Sequence, residues 1–586
     1  MSSRHFDNDP TKLVLASLQS NTLINPSVSF QPEHKIVHRK VSDAHHGKVS
    51  IISGGGSGHE PGFAGYVGKG LLTAAVAGTI FASPSAEQVR QGFKCVPTNK
   101  GVFVVIMNYT GDVLNFGMAV EDARATNVQT ELFAVGDDVG VGRAKSGKVG
   151  RRGLAGTVLV IKLCGALAEL GGSLAQVHQL AQHVARNTVT VGASLDHVHV
   201  PGRLPSSSDA PAVDEVEIGM GIHNEPGSVR ATKTLPELVK SMLQQLLDPN
   251  DADRSYCSFQ ASDEVVLLIN NLGGVSALEF GAITTEVVGQ LASHYGLHPV
   301  RVFAAPFLTS LNGPGFSITV LKLGNTGLGE GKSMLDLLDF PAEALGWGSP
   351  LPPSVRSPHH TTTVARERAS TTSKLSSQLR LDPSVTPRVI GQALQRLIAA
   401  EPQVTRYDTI VGDGDCGIGM KRGAEAVLDG LVFSSQPLDA LALVSDIKTI
   451  IEVAMDGTSG ALFTIFFNGL VQGLRQQDDG RKKEADAAVW SSAVSAALQT
   501  LKRYTPARPG DRTLMDALVP FVETLATTLD VRQASAAAFA GADQSKHLRP
   551  SFGRSVYVGT ENVWLGKVPD PGAWAVATLL QGLAEA

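Results

Sequence analysis

The sequence predicts an α/β N-terminal half, made of two α/β subdomains, followed by an all-α helical-bundle C-terminal domain. Three observations carry that prediction. Short β-branched runs in the first half end in glycine-bearing turns and then helical patterns. A stretch rich in Pro, Ser and Thr breaks the chain at 350–377. After it, the apolar period becomes helical.

Each element follows from its residues. Val49–Ile52 runs into SGGGSGHEPG, Val102–Ile106 runs after Met107 into NYTGDVLNFGMAVEDARA, and Val265–Ile269 runs into NNLGGVSALEFGAITTEVV. Continuous apolar strands alternating with helices are the pattern of a mainly parallel sheet covered on both faces. Residues 1–349 are many for one sheet, so two subdomains are expected, about 1–190 and 191–349. Segment 350–377 has too little apolar content to offset its ordering entropy and reads as a linker. In 378–586, Ile390, Leu394, Leu397 and Ile398 share one helical face, and Ala-rich runs such as SSAVSAALQTLKRY continue the style.

Composition bounds the function classes. The chain has 586 residues, 43% of them hydrophobic, which supplies large cores and excludes wholesale disorder. Its 61 glycines have no three-residue period, which excludes collagen and makes their location the question. Net charge is −5 with Lys and Arg scattered, against a nucleic acid or an anionic membrane as partner. The four cysteines, Cys95, Cys164, Cys257 and Cys416, form no CxxC pair. With no secretory leader or span-length apolar stretch in view, a cytoplasmic protein is expected.

Six segments could carry chemistry. Ser53–Pro61 (SGGGSGHEP) is either a tight strand–helix turn or a small-ligand cradle with His59 beside it, since clustered glycines let backbone N–H groups approach a ligand. Asn108–Asp112 ends another strand, where parallel sheets bind ligands, although Asp112 could simply cap a helix. His223 follows Gly-x-Gly in Glu217–Glu225, where a ligand could reach it, although as a lone histidine a structural role is favoured. Asp408, Asp413 and Asp415 crowd three carboxylates into eight residues, the hard oxygen set that suits Mg²⁺, without an EF-hand pattern. Asp456–Ala461 and Arg508–Thr513 offer hydroxyls, loop N–H groups and Arg512, the donors a nucleotide needs, or else are interhelical turns.

Two further patterns are set aside. His197 and His199 would share one face of a strand, but a zinc site wants a third ligand, so a structural role is favoured. Thr326–Ser333 approaches a P-loop, yet Thr326 stands where its first glycine is required.

Nine motifs in order, SGGGSGHEP, NYTGD, KSGKVGRRGLAGTV, MGIHNEPG, NNLGG, GDGDCG, MDGTSGAL, TPARPGD and VPDPGA, resemble the ATP-dependent dihydroxyacetone kinases of the two-domain, single-chain type, most closely the fungal form. The resemblance implies an α/β half, 1–349, that binds dihydroxyacetone and a helical half, 378–586, that carries Mg²⁺ and ATP. It implies that His223 adds to the substrate ketone as a hemiaminal. Gly56, Ser57, Gly58 and His59 match the substrate loop, with His59 as proton donor, and Asp112 matches the base that takes the hydroxyl proton. Asp408, Asp413 and Asp415 match the metal ligands. Asp415, Cys416, Gly417, Ile418, Thr458, Ser459, Gly460, Arg512, Thr513, Asp570, Pro571 and Gly572 match the nucleotide contacts. A homodimer is implied as well. D-glyceraldehyde is a second expected acceptor. The alternatives are cyclising cleavage of FAD, as in some animal relatives, and a non-catalytic carbonyl-binding regulator.

Three departures bear on activity. Met107 stands in the substrate region where the family has Lys, so restoring Lys is expected to raise kcat/KM. Ile418 and Gly419 replace a Thr-Thr pair after GDGDCG, and LRPSF before GRSVYV is atypical.

Overall fold

The computed structural model describes residues 5–40, 47–203, 211–212, 214–348, 375–431, 433, 438–551 and 561–585. The chain divides into two compact units, 1–361 and 362–586. No described helix is long and apolar enough to cross a membrane. Most of the 350–377 segment, and the GRSVYV motif, lie outside the described residues. At the end of that segment Ser377 is buried, and its backbone N–H donates to Asp439 at 2.6 Å.

The first unit holds two six-stranded sheets. Strands β1 (Val28–Gln31), β2 (Ile36–Arg39), β3 (Ser50–Ser57), β4 (Ala74–Ile80), β5 (Val102–Met107) and β6 (Thr130–Val135) form one, in the order β1-β2-β4-β3-β5-β6. Its β4-β3-β5-β6 portion is parallel, as the apolar runs predict, and β1 and β2 add an antiparallel edge. Every residue of β5, VFVVIM, is buried, as befits a strand covered on both faces.

The second sheet corrects the expectation of a mainly parallel arrangement. It consists of β7 (Thr188–Ser194), β8 (Val216–Ile218), β9 (Val229–Ala231), β10 (Val265–Asn271), β11 (Arg301–Ala305) and β12 (Gly315–Lys322), ordered β11-β10-β12-β7-β8-β9. Only β10 and β11 pair in parallel; every other neighbour is antiparallel. Buried β10 and β12 carry apolar runs in either orientation, so the run itself does not encode strand direction.

Nine helices are described in this unit: α1 (Pro10–Ile24), α2 (Ala86–Lys94), α3 (Thr110–Ala125), α4 (Gly142–Ser146), α5 (Gly156–Glu169), α6 (Leu174–Arg186), α7 (Leu235–Leu247), α8 (Ala277–Tyr295) and α9 (Met334–Asp339). Helix α5, GTVLVIKLCGALAE, is apolar around most of its circumference because it packs between β3, β5 and β6 of one sheet and β7 and β12 of the other. One apolar core therefore joins the two sheets.

The second unit is helical. It contains α10 (Thr386–Val411), α11 (Cys416–Gly430), α12 (Ala440–Ala454), α13 (Gly457–Gln477), α14 (Ala487–Tyr504), α15 (Met515–Thr528), α16 (Val531–Gln544), α17 (Glu561–Trp564) and α18 (Pro571–Glu585). Three strands of two or three residues each make a small sheet at Leu379–Leu381, Leu438–Asp439 and Lys483–Glu484. The predicted apolar face of α10 is used: Ile390, Leu394 and Leu397 line an apolar cavity of about 570 Å³ among the helices.

Candidate active site

The first three glycines of SGGGSG are not a loop: Gly54, Gly55 and Gly56 lie within β3, which runs through Ser57 with a register shift against β4 between Gly55 and Ser57. A Cβ on Gly56 would come within 2.8 Å of the Phe81 carbonyl carbon and of the Ala82 nitrogen, so glycine allows the chain segments to meet here. Ser57 is buried, its hydroxyl donating to Gly78 O at 3.0 Å. Gly58, at φ +101°, then turns the chain into His59.

His59 and His223 come together although they are far apart in sequence. Their Nε2 atoms are 3.0 Å apart. His59 is fully buried and its Nδ1 donates to the Thr309 carbonyl at 2.8 Å. Burial, reinforced by the charge of His223, lowers its pKa to about 3, so the ring is neutral. Phe81 stacks on His59 with centroids 5.1 Å apart, and Tyr109 meets the His223 ring edge-on at 4.8 Å. His223 sits on a turn that Asn224, at φ +63°, anchors by hydrogen bonds in both directions to the Val198 backbone at 2.9 Å.

Asp112 joins them from the first turn of α3. The residue before that helix is Tyr109 and makes no side-chain cap, so the capping reading of Asp112 fails. Instead the carboxylate is buried, with Oδ1 lacking any hydrogen-bond partner among the described residues. Burial raises its pKa to about 6, against the opposing pull of the Ser83 hydrogen bond and the His223 charge. A Cβ on Gly55 would sit 3.6 Å from Asp112 Oδ2, which places the carboxylate over the glycine strand. Met107 is buried in an apolar cluster that also contains Ile222 and borders Phe81 and Tyr109.

His197 and His199 are not on a strand, since β7 ends at Ser194. His197 Nε2 faces Glu217 at 3.1 Å, whereas His199 Nδ1 faces His5 at 2.8 Å. The pair is divided between two structural contacts.

In the helical unit, Asp408 on the last turns of α10 and Asp413 and Asp415 beyond it offer carboxylate oxygens all within 4.8 Å of one another. A Cβ on Gly412 would lie 2.2 Å from Asp408 Oδ1, so glycine makes room for that carboxylate. The Cys416 N–H, opening α11, donates to Asp408 Oδ2 at 3.0 Å, and the Cys416 thiol meets the Ser459 hydroxyl. Thr458, Ser459 and Gly460 form the first turn of α13. Gly417 and Gly460 serve close packing: a Cβ there would meet Thr405 Oγ1 at 2.3 Å or Met455 O at 2.2 Å. Ile418 is exposed.

Arg512 and Asp570 complete this cluster. Arg512 is buried at φ +58°, 4.7 Å from the Trp564 ring centroid, with one amino group donating to Val568 O at 2.8 Å. Its Nε and Nη1 have no hydrogen-bond partner among the described residues, which leaves two charged donors available to an anion. Asp516 ties the loop by accepting the Gly510 and Thr513 N–H groups at 2.6 and 2.7 Å. Asp570 is raised to about 7 by burial, pulled down by Arg512 and pushed up by Asp516 and Asp408. Its carboxylate accepts the Ala573 N–H at 2.8 Å, capping α18 just before Pro571 and Gly572. Three hard carboxylates beside unpartnered cationic donors fit a divalent cation and a polyphosphate.

A Dak1 domain model matches residues 19–346, and a DAK2 domain model matches 410–585. The chain belongs to the two-domain dihydroxyacetone kinase family. Among its relatives is the dihydroxyacetone kinase of Pichia angusta, 43% identical, the match covering 100% of this chain and 99% of that protein. The human triokinase/FMN cyclase is 33% identical over 100% of this chain and 99% of its own. The crystal structure of the C. freundii dihydroxyacetone kinase in complex with AMP-PNP and Mg²⁺ superposes with a TM-score of 0.61 at 32% identity, covering all of each chain.

Within this dihydroxyacetone kinase family member, the sequence reading missed four residues that build the histidine site. Thr309 and Phe81 lie on distant segments and carry no local signal. Glu225 does: it stands two residues from His223, within reach of its own neighbour. Arg152, inside a quoted motif, was legible as a charge but not as a contact.

Proposed function

We propose that the chain transfers the γ-phosphoryl group of Mg–ATP to dihydroxyacetone, and to D-glyceraldehyde, giving a triose phosphate in glycerol and triose catabolism and clearing a reactive carbonyl. The observation that carries this reading is the 3.0 Å approach of the His59 and His223 Nε2 atoms beside the buried Asp112, whose Oδ1 has no hydrogen-bond partner among the described residues. In this reading His223 Nε2 adds to the substrate carbonyl carbon to form a hemiaminal, and His59 delivers a proton to the carbonyl oxygen. A ketone or aldehyde can form that bond and glycerol cannot, which sets the specificity. Asp112 accepts the proton of the attacking hydroxyl.

Residues 1–349 bind the acceptor, 350–377 link, and 378–586 bind the nucleotide. Magnesium held by Asp408, Asp413 and Asp415 would offset the triphosphate charge. Arg512 donates to phosphate oxygens, while the loops at 415–418, 458–460, 512–513 and 570–572 orient the nucleotide. The protein acts in the cytoplasm as a homodimer.

A coupled assay with Mg–ATP and dihydroxyacetone, D-glyceraldehyde or glycerol tests the reading. ADP release with the two carbonyl compounds but not with glycerol is expected. Dihydroxyacetone binding without ADP release from any acceptor would instead identify a carbonyl-binding regulator, the reading Met107 favours. The name of the human relative favours a second activity, and formation of a cyclic flavin phosphate from FAD would establish it.

A further inference from the structure

Glu225 takes no part in the hemiaminal chemistry of His223, His59 and Asp112, yet both its carboxylate oxygens are engaged on His223. Oε1 faces His223 Nδ1 at 3.1 Å, and Oε2 accepts the His223 backbone N–H at 2.8 Å. One side chain thus fixes the ring and the main chain of the same residue. Arg152 reaches the same place: a Cβ on Gly221 would lie 2.0 Å from Glu225 Oε2 and 2.7 Å from Arg152 Nη1. Arg152 is itself fixed, with Nη2 at 2.7 Å from the buried Asp138 carboxylate and 3.0 Å from Gly219 O.

The hydrogen-bond partners also assign the ring protons. The Thr309 carbonyl only accepts, so His59 carries its proton on Nδ1 and presents a bare Nε2. The close approach of the two Nε2 atoms therefore takes its proton from His223. Glu225 likewise accepts, so His223 Nδ1 carries a proton too. Burial alone would raise the Glu225 carboxyl, but the hydrogen bonds and charge of His223, with the Arg152 charge, bring it down to about 2. The carboxylate is ionised whenever the ring needs a counter-charge.

We infer that Glu225, backed by Arg152 and Asp138, is a positioning residue that keeps His223 Nδ1 protonated, aims Nε2 at the substrate carbon and balances the charge of the adduct. This rests on the hemiaminal reading. When the adduct forms, the Nε2 proton leaves to His59 Nε2 and the electron pair it releases makes the N–C bond. The π pair of the carbonyl moves to oxygen, which takes that proton from His59. His59 ends as it began, and His223 remains a cationic ring, now substituted at Nε2, still facing Glu225.

The test is ¹³C NMR of [2-¹³C]dihydroxyacetone titrated into the full chain without ATP, beside steady-state kinetics. In the wild type the bound ketone carbon is expected to move into the tetrahedral range. Glu225→Gln, nearly the same shape, is expected to weaken the adduct about 10- to 100-fold and raise KM for dihydroxyacetone to match, by analogy with other partners that orient a functional histidine. KM for ATP is expected to stay unchanged, which loss of folded protein alone would not explain. Glu225→Asp, which keeps the charge but draws it back, is expected to fall between the two. Wild-type adduct affinity in Glu225→Gln, or Glu225→Asp no better than Gln, overturns the proposal while the hemiaminal stands. Absence of a tetrahedral carbon in the wild type overturns the hemiaminal reading and takes this proposal with it.

Discussion

Asp112 is a carboxylate that α3 could have used as an ordinary cap and did not. Buried with one oxygen unpartnered, its pKa is raised to about 6, close to the pH at which a base is most useful. Since only the ionised form accepts a proton, kcat/KM for dihydroxyacetone is expected to fall as pH drops through about 6 and to level off above it. Asp112→Asn is expected to lower kcat about 10²- to 10⁴-fold and to remove that acid limb. A pH–rate profile of the two proteins checks both statements; an unchanged limb in the variant assigns it elsewhere. Met107→Lys is a second test at this scale. Met107 is buried among apolar neighbours, so an ammonium there is expected to lower Tm even as it raises kcat/KM by supplying a donor beside the acceptor site. Thermal unfolding and initial rates separate the two effects. His59, Asp112 and His223 were legible because each follows a glycine motif at a strand end. Thr309 and Phe81 were not, because what makes them matter is a contact across hundreds of residues or a backbone approach.

At the scale of elements, direction and continuity were the harder things to read. Three successive glycines suggest a turn, yet β3 carries them through, because glycine lets β3 approach the chain at Phe81 and Ala82 too closely for a side chain. Gly56→Ala is therefore expected to push Phe81 off the His59 ring, raise KM for dihydroxyacetone and cost about 1–3 kcal/mol of stability, measured by urea unfolding. The parallel portion of the first sheet was legible from its strand–helix alternation, whereas the antiparallel second sheet was not, since buried strands of either kind are uniformly apolar. Helix α5 makes a different prediction. Lys162 is fully buried on it, donating to Leu337 O at 2.7 Å, and burial lowers its pKa to about 7 despite the nearby Asp339. Between about pH 7 and 10 the unfolded chain keeps the proton that the folded chain has lost, so this group makes stability rise with pH, by at most about 1.4 kcal/mol per unit. Unfolding midpoints from pH 6.5 to 9 should show that rise in the wild type relative to Lys162→Met; parallel curves would refute it.

For the whole molecule, the division of labour between two units makes the sharpest prediction. His59, Asp112 and His223, the groups proposed to act on the carbonyl, belong to the first unit, and the carboxylates Asp408, Asp413 and Asp415 to the second. If the proposed roles hold, holding the acceptor and activating the donor are expected to be separable in experiment. Asp413→Asn/Asp415→Asn removes two of three hard charges from exposed positions, where substitution costs the fold little. Phosphoryl transfer depends on charge stabilisation at the phosphates, so turnover is expected to fall below detection with any acceptor. The first unit keeps every group proposed to contact the acceptor, so dihydroxyacetone is expected to bind with wild-type affinity and the same tetrahedral ¹³C signal. His223→Ala should do the reverse, losing that signal while nucleotide binding persists. Loss of acceptor binding in the Asp413/Asp415 variant would mean that the two activities are coupled through more than proximity, and the two-site reading of this chain would have to give way to a single cooperative one.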